Sequence, residues 1–141
     1  MAADAEFEAH MQRLHPRLAS VCRRVKQRLD YTVVFSWRSA AQQQELYKAG
    51  RSQLPAGQSK HNATGPDGQP RSLAVDIRPP DFPGWGIVTD NAEDLNMRGE
   101  ALFSRFAGAF LYEADRQGVA ITWGGDWVNF RDVLHFEMAV A

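Results

Sequence analysis

The sequence predicts an α+β fold, a small and mainly antiparallel sheet with helices packed against it, over residues 1–141 as a single domain. Two observations point there. Apolar residues recur at helical spacing in the first thirty residues and again from about Leu95 to Gln117. Four short runs, near residues 31–37, 73–77, 120–123 and 135–140, alternate apolar and other side chains with the period of two that a half-buried strand requires. A chain of 141 residues is long enough to bury a real core, and 44% hydrophobic with 23% charged residues is a globular composition.

Met11, Leu14, Leu18, Val21, Cys22, Val25 and Leu29 form the first helical stripe, with Pro16 placed to start a second helix or kink the first. His10 and His15 read as surface or helix-end residues, because no carboxylate stands at ligand spacing from either. Tyr31, Val33, Phe35 and Trp37 define a strand. Ser39 with Gln42 has capping-box form, and the helix it opens runs through Leu46 and Tyr47 to a stop at Gly50. Residues 51–72 are rich in Gly, Pro, Ser, Asn and Gln and read as a loop containing His61. In the next strand Leu73, Val75 and Ile77 share one face, Ala74 and Asp76 the other. Pro79, Pro80 and Pro83 forbid regular structure through 81–85. The helix from about Leu95 to Gln117 carries Leu102, Phe103, Phe106, Phe110, Leu111 and Ala114 as its apolar stripe and ends at Gly118. Ala120 to Trp123 form a strand, and from His135 onward Phe136, Met138 and Val140 alternate with His135, Glu137 and Ala139.

Composition narrows the function. A formal net charge of −1 provides no basic field for a nucleic acid. A single cysteine, Cys22, rules out an internal disulfide and a cysteine-cluster zinc site, and reads as a buried helix residue. No apolar run reaches the length of a membrane span, and the acidic N-terminus MAADAEFEAH is unlike a signal peptide, so synthesis in the cytoplasm is expected.

Chemistry concentrates in three residues. Asp76 lies in an apolar strand, where a carboxylate is costly unless it is paired or binds a cation. His61, Asp76 and His135 together are a sufficient donor set for a catalytic zinc, with a fourth position for water. Asp132, just before the last strand, is the candidate acid/base. Arg38, at the end of the first strand, could stabilise an oxyanion, and Glu137 could orient His135. No short zinc motif such as HExxH is present.

Four blocks carry a family resemblance: SWRSAAQQQELYKAGR, then Ser59-Lys60-His61, then Ala74-Val75-Asp76, and finally WGGDW followed by DVLHFE. The chain resembles zinc peptidases of the M15 group, which includes D-Ala-D-Ala carboxypeptidases, and looks most like the phage endolysin branch that cleaves L-alanyl-D-glutamate bonds in peptidoglycan. The resemblance implies that His61, Asp76 and His135 ligate zinc, that Asp132 is the catalytic acid/base, and that Arg38 stabilises the transition state. It also implies that Ser59, Gln43, Trp123, Asp126 and Trp127 shape the substrate groove; structurally, Trp123 and Trp127 could instead be core and Gly124-Gly125 a tight turn. The expected partner is the peptidoglycan stem peptide, met as a monomer after holin-assisted release, without nucleic acid or membrane binding. Two features depart from the family pattern. The loop NATGPDGQPR between His61 and Asp76 is longer than the compact form and could reshape a groove wall, and Trp37 stands where Tyr or Phe is usual. A D-Ala-D-Ala carboxypeptidase or dipeptidase, and a non-catalytic zinc-binding module, are the alternatives.

Overall fold

A computed structural model describes residues 2–80, 93–127 and 131–139, without the side chains of residues 2, 3 and 93–102. In chain order the elements are α1 (Ala2–Met11), α2 (Pro16–Lys26), β1 (Thr32–Phe35), α3 (Ala40–Lys48), β2 (Ala74–Arg78), α4 (Glu93–Gln117), β3 (Ile121–Trp123) and β4 (His135–Met138). The strands form one sheet in the order β1-β2-β4-β3, with every neighbouring pair antiparallel. The expected irregular segment at 81–85, Val140 and the side chain of Leu102 lie outside the described residues. No helix among those described is long and apolar enough to cross a membrane.

Local chemistry accounts for the helix ends. Pro16 starts α2 rather than kinking a single long helix, since its missing N–H costs nothing at a first helical turn. His15 caps that helix, its Nδ1 accepting from the Arg17 N–H at 3.2 Å. The capping box expected of Ser39 and Gln42 is present on α3, and Gly50 at φ +73° and Gly118 at φ +72° follow the ends of α3 and α4 in the left-handed region.

Strand periodicity separates core from chemistry. Val75, Ile77, Phe136 and Met138 turn into a core shared with Leu18, Val21, Cys22 and Val25 of α2 and Phe103, Phe106 and Phe110 of α4. Phe110 stacks on Phe136 with ring centroids 4.5 Å apart and meets Tyr31 at 5.4 Å. The Tyr31 hydroxyl donates to the Cys22 carbonyl at 2.6 Å. Cys22 is buried as expected, and burial pushes its thiol pKa up to about 12, so it is an inert core residue. Leu111 is only half-buried, at the flank of the expected stripe, whereas Ala107 is buried within it.

Two departures concern loops. The 51–72 segment contains a single 3-10 turn, Lys60–Asn62, carrying His61. The longer 62–71 loop closes on itself through a Thr64–Pro70 bridge, and Ser72 beyond it exchanges backbone hydrogen bonds of 2.9 Å with Arg13 and His15 at the α1–α2 corner. None of residues 62–71 lines the main cleft, so this insertion, which could have reshaped a groove wall, packs elsewhere.

The aromatic stack under the sheet predicts a large effect of truncation. Phe110→Ala should lower unfolding free energy by about 3–5 kcal/mol in urea titrations. Tyr112→Ala, at a position 61% exposed, should stay within about 0.5 kcal/mol.

Candidate active site

The antiparallel register builds the site. Asp76 of β2 pairs directly with His135 of β4, and Ala74 with Glu137, so these four residues lie on the sheet face opposite Val75 and Phe136. A register shift between Val33 and Phe35 brings Phe35 opposite Asp76 on the other side. His61 arrives from the Lys60–Asn62 turn, which is fixed by a capping box between Ser59 and Asn62 and by an Arg38 N–H to His61 carbonyl bond of 2.9 Å.

His61, Asp76 and His135 offer donor atoms within 4.8 Å of one another, and all three residues are buried. His61 Nε2 lies 3.4 Å from His135 Nδ1 and 3.3 Å from Asp76 Oδ2, while His135 Nδ1 lies 2.8 Å from Asp76 Oδ1. A tetrahedral ion with bonds of about 2.0–2.2 Å sets its ligands about 3.3–3.6 Å apart. Two of these separations already match, and the third is shortened by a hydrogen bond that a metal would replace.

The far nitrogens of both rings are engaged. His61 Nδ1 lies 2.7 Å from the Ser36 carbonyl oxygen, and His135 Nε2 lies 2.9 Å from Glu137 Oε1. His61 thus donates outward and turns the lone pair of Nε2 to the cluster, whereas His135 Nδ1 carries the proton of its bond to Asp76, the proton a metal would displace. Glu137 is held in turn by Lys60 at 2.7 Å, and Lys60 also donates to the Met138 carbonyl at 2.5 Å. These residues fit a divalent cation.

Charge balance supports that fit. Burial opposes ionisation of Asp76, but His61 and His135 outweigh it and hold the carboxyl well below the usual range. Burial disfavours a charged His135, yet its bonds to Asp76 and Glu137 raise its pKa to about 10, so a proton supplies the positive charge the cluster demands. Burial lowers the pKa of His61. Burial, followed by the charge of Asp76, pushes Asp132 up to about 7. Burial also acts to raise Glu137, but His135 and Lys60 bring it down to about 2.

A cleft of about 420 Å³ lies over this cluster, lined by His61, His135, Glu137, Asp132 and Trp127 and by residues 51–54 with Ser59 and Lys60. The ring of Trp127 is 5.0 Å from that of His135. Arg38 also borders the cleft, but its guanidinium is engaged, with Nη2 donating to Asp76 Oδ2 at 2.8 Å and Nη1 to Gln43 Oε1 at 2.9 Å.

Three residues expected in the groove lie elsewhere. Gln43 is fully buried behind Arg38, because its amide satisfies polar groups there. Trp123 packs on the core, stacked on Phe103 at 6.5 Å, with its indole N–H bonded to the Val133 carbonyl at 2.8 Å. Asp126 is exposed at the end of a 3-10 turn and does not line the cleft. The glycines beside them are steric requirements, since a Cβ at Gly124 would sit 2.3 Å from the Asp132 carbonyl oxygen. His10 is more than a surface residue, with Nδ1 2.7 Å from the hydroxyl of Ser36, whose carbonyl receives His61. Sequence reasoning missed Lys60 and the Ser36 carbonyl. The first had a signal in its place between Ser59 and His61, but a backbone acceptor leaves none.

Comparison with known proteins agrees with this geometry. The family model described as phage L-alanyl-D-glutamate peptidase matches residues 3–137. The peptidoglycan L-alanyl-D-glutamate endopeptidase CwlK of Bacillus subtilis (strain 168) is 28% identical over 117 residues, 78% of this chain and 61% of that protein. The chain thus spans only 61% of the length of that curated relative. The crystal structure of the Serratia marcescens L-Ala D-Glu endopeptidase ChiX is similar at a TM-score of 0.67 and 26% identity, covering 95% of this chain and 86% of that one. With a family match that runs nearly end to end and includes every residue of the donor cluster, the chain belongs to the phage L-alanyl-D-glutamate peptidase family.

Proposed function

We propose that this chain is a zinc-dependent peptidoglycan peptidase that hydrolyses the L-Ala–D-Glu amide of the stem peptide and serves as a phage or prophage endolysin. The observation that carries this reading is the convergence of His61, Asp76 and His135 beneath a cleft that also holds Asp132. A volume of about 420 Å³ suits a short length of peptide.

A zinc ion held by these three side chains would supply Lewis acidity to the scissile carbonyl and lower the pKa of a water to about 7. Asp132 takes the proton of the attacking water on Oδ2, the oxygen left over because Oδ1 accepts the Leu134 N–H at 3.2 Å. It returns that proton to the departing amine as the C–N bond breaks, so the carboxylate is regenerated with each turnover. Arg38 contributes positive charge beside the carbonyl oxygen as negative charge develops there. Glu137 keeps His135 in the tautomer that faces the metal. Trp127 and Ser59 provide surfaces for the peptide to lie against.

Asp132→Ala should retain about one zinc per chain while losing wall lysis by about 10²–10⁴-fold, read by metal analysis beside turbidity of purified wall. His61→Ala should lose both. New N-terminal D-Glu in the digest identifies the bond, whereas released D-Ala would overturn the L-Ala–D-Glu assignment. Zinc binding by a wild type that cuts no wall would instead leave a binding module.

A second expectation follows from the raised pKa of Asp132. With a folded value of about 7 against about 3.9 unfolded, its neutral form contributes stability that is present below about pH 4 and lost as pH rises through 7. In chelator, Asp132→Asn should therefore be more stable than wild type at pH 8, on the order of 4 kcal/mol, and nearly equal to it at pH 4. Equal differences in thermal midpoint at both pH values would contradict this electrostatic account.

A further inference from the structure

We propose that Gln43 is a positioning residue whose buried amide fastens the 51–54 cleft wall to the Arg38–Asp76 pair and so sets the width of the substrate groove. The inference rests on the peptidase reading above for its kinetic consequence, though not for its structural one.

Gln43 is 0% exposed, and every polar atom of its side chain is used. Oε1 accepts from Arg38 Nη1 at 2.9 Å, while Nε2 donates to Ser52 Oγ at 2.8 Å and to the Leu54 carbonyl at 2.7 Å. This amide orientation is forced. The reverse would set an NH₂ against the guanidinium N–H and an oxygen against the Leu54 carbonyl.

On the far side of Arg38, Nη2 donates to Asp76 Oδ2 at 2.8 Å, and Asp76 Oδ1 lies 2.8 Å from His135 Nδ1. A continuous hydrogen-bonded path therefore runs from the cleft wall through one amide to the donor cluster. The wall needs such an anchor, because residues 51–54 lie in no helix or strand and Leu54 is 43% exposed. An Arg51 N–H to Leu46 carbonyl bond of 2.9 Å also ties it to α3, as does, just beyond it, an exposed Ala56 N–H to Gln44 Oε1 bond of 3.1 Å. Removing the Gln43 amide would leave the Leu54 carbonyl and one buried Arg38 N–H without that partner, and the wall would relieve this by moving outward into solvent.

Two near-isosteric variants separate the two halves of this role. Gln43→Glu keeps an acceptor for Arg38 but sets a carboxylate oxygen against the Leu54 carbonyl, releasing only the wall. Gln43→Met keeps the length and releases both partners. The first readout is trypsin cleavage after Arg51, which should accelerate about tenfold in both variants under conditions where circular dichroism shows them folded. The second is kinetics on a soluble stem peptide containing L-Ala–D-Glu. KM should rise about tenfold in both, with kcat falling only in Gln43→Met. Folded variants nicked at the wild-type rate would overturn the proposal, as would an unchanged KM. If Gln43→Met fails to fold, Gln43→Glu decides alone. If wild type cleaves no stem peptide, the peptidase reading falls and the trypsin comparison still decides the anchoring role.

Discussion

Asp76 is a carboxylate placed inside a sheet, between the apolar residues Val75 and Ile77, and much of the surrounding architecture compensates that charge. A buried anion is tolerated only when positive or proton-donating groups close around it. Here they come from three directions: His135 across the β2–β4 ladder, His61 from the 3-10 turn, and Arg38 from the end of β1. Remove the carboxylate and two imidazoles and a guanidinium would face one another without a reason to converge. The same demand for positive charge makes the cluster a good cation site.

Rigidity is supplied from behind the three donor residues. Asp76 and His135 sit on paired strands whose opposite faces are locked by Phe136, Phe110 and Phe103. His61 comes from a loop, the less precise scaffold, and is restrained by a cap at Ser59 and by backbone bonds to Arg38 and Ser36. Glu137 and Lys60 extend the order outward to the cleft rim. The direction of each donor residue is therefore decided by hydrogen bonds made at its far atoms, the way outer partners orient imidazoles in a cation site.

Asp76 within the cluster and Asp132 beside it diverge in character. Asp76 is surrounded by donors and stays ionised, while burial first and the charge of Asp76 second push Asp132 up to about 7, with one backbone N–H to offset them. Environment rather than residue type sets these two carboxyls apart. The WGG segment serves this arrangement sterically, since the Asp132 backbone closes directly onto Gly124.

Period-two alternation in residues 73–77 and 135–138 determined by itself which side chains face the core, because the pleat allows no other reading once one face is apolar. Capping chemistry likewise marked the start of α3, and the cost of an acid in an apolar strand marked Asp76. What local pattern could not determine is how distant segments meet. Whether Gln43 and Trp123 touch substrate or support it depends on side-chain direction in three dimensions, and tertiary packing sent one behind Arg38 and the other onto Phe103. The bond from His61 to the Ser36 carbonyl and the docking of the 62–71 loop near the α1–α2 corner involve backbone groups that every residue carries. Such contacts leave no mark on residue identity, and only the folded chain decides them.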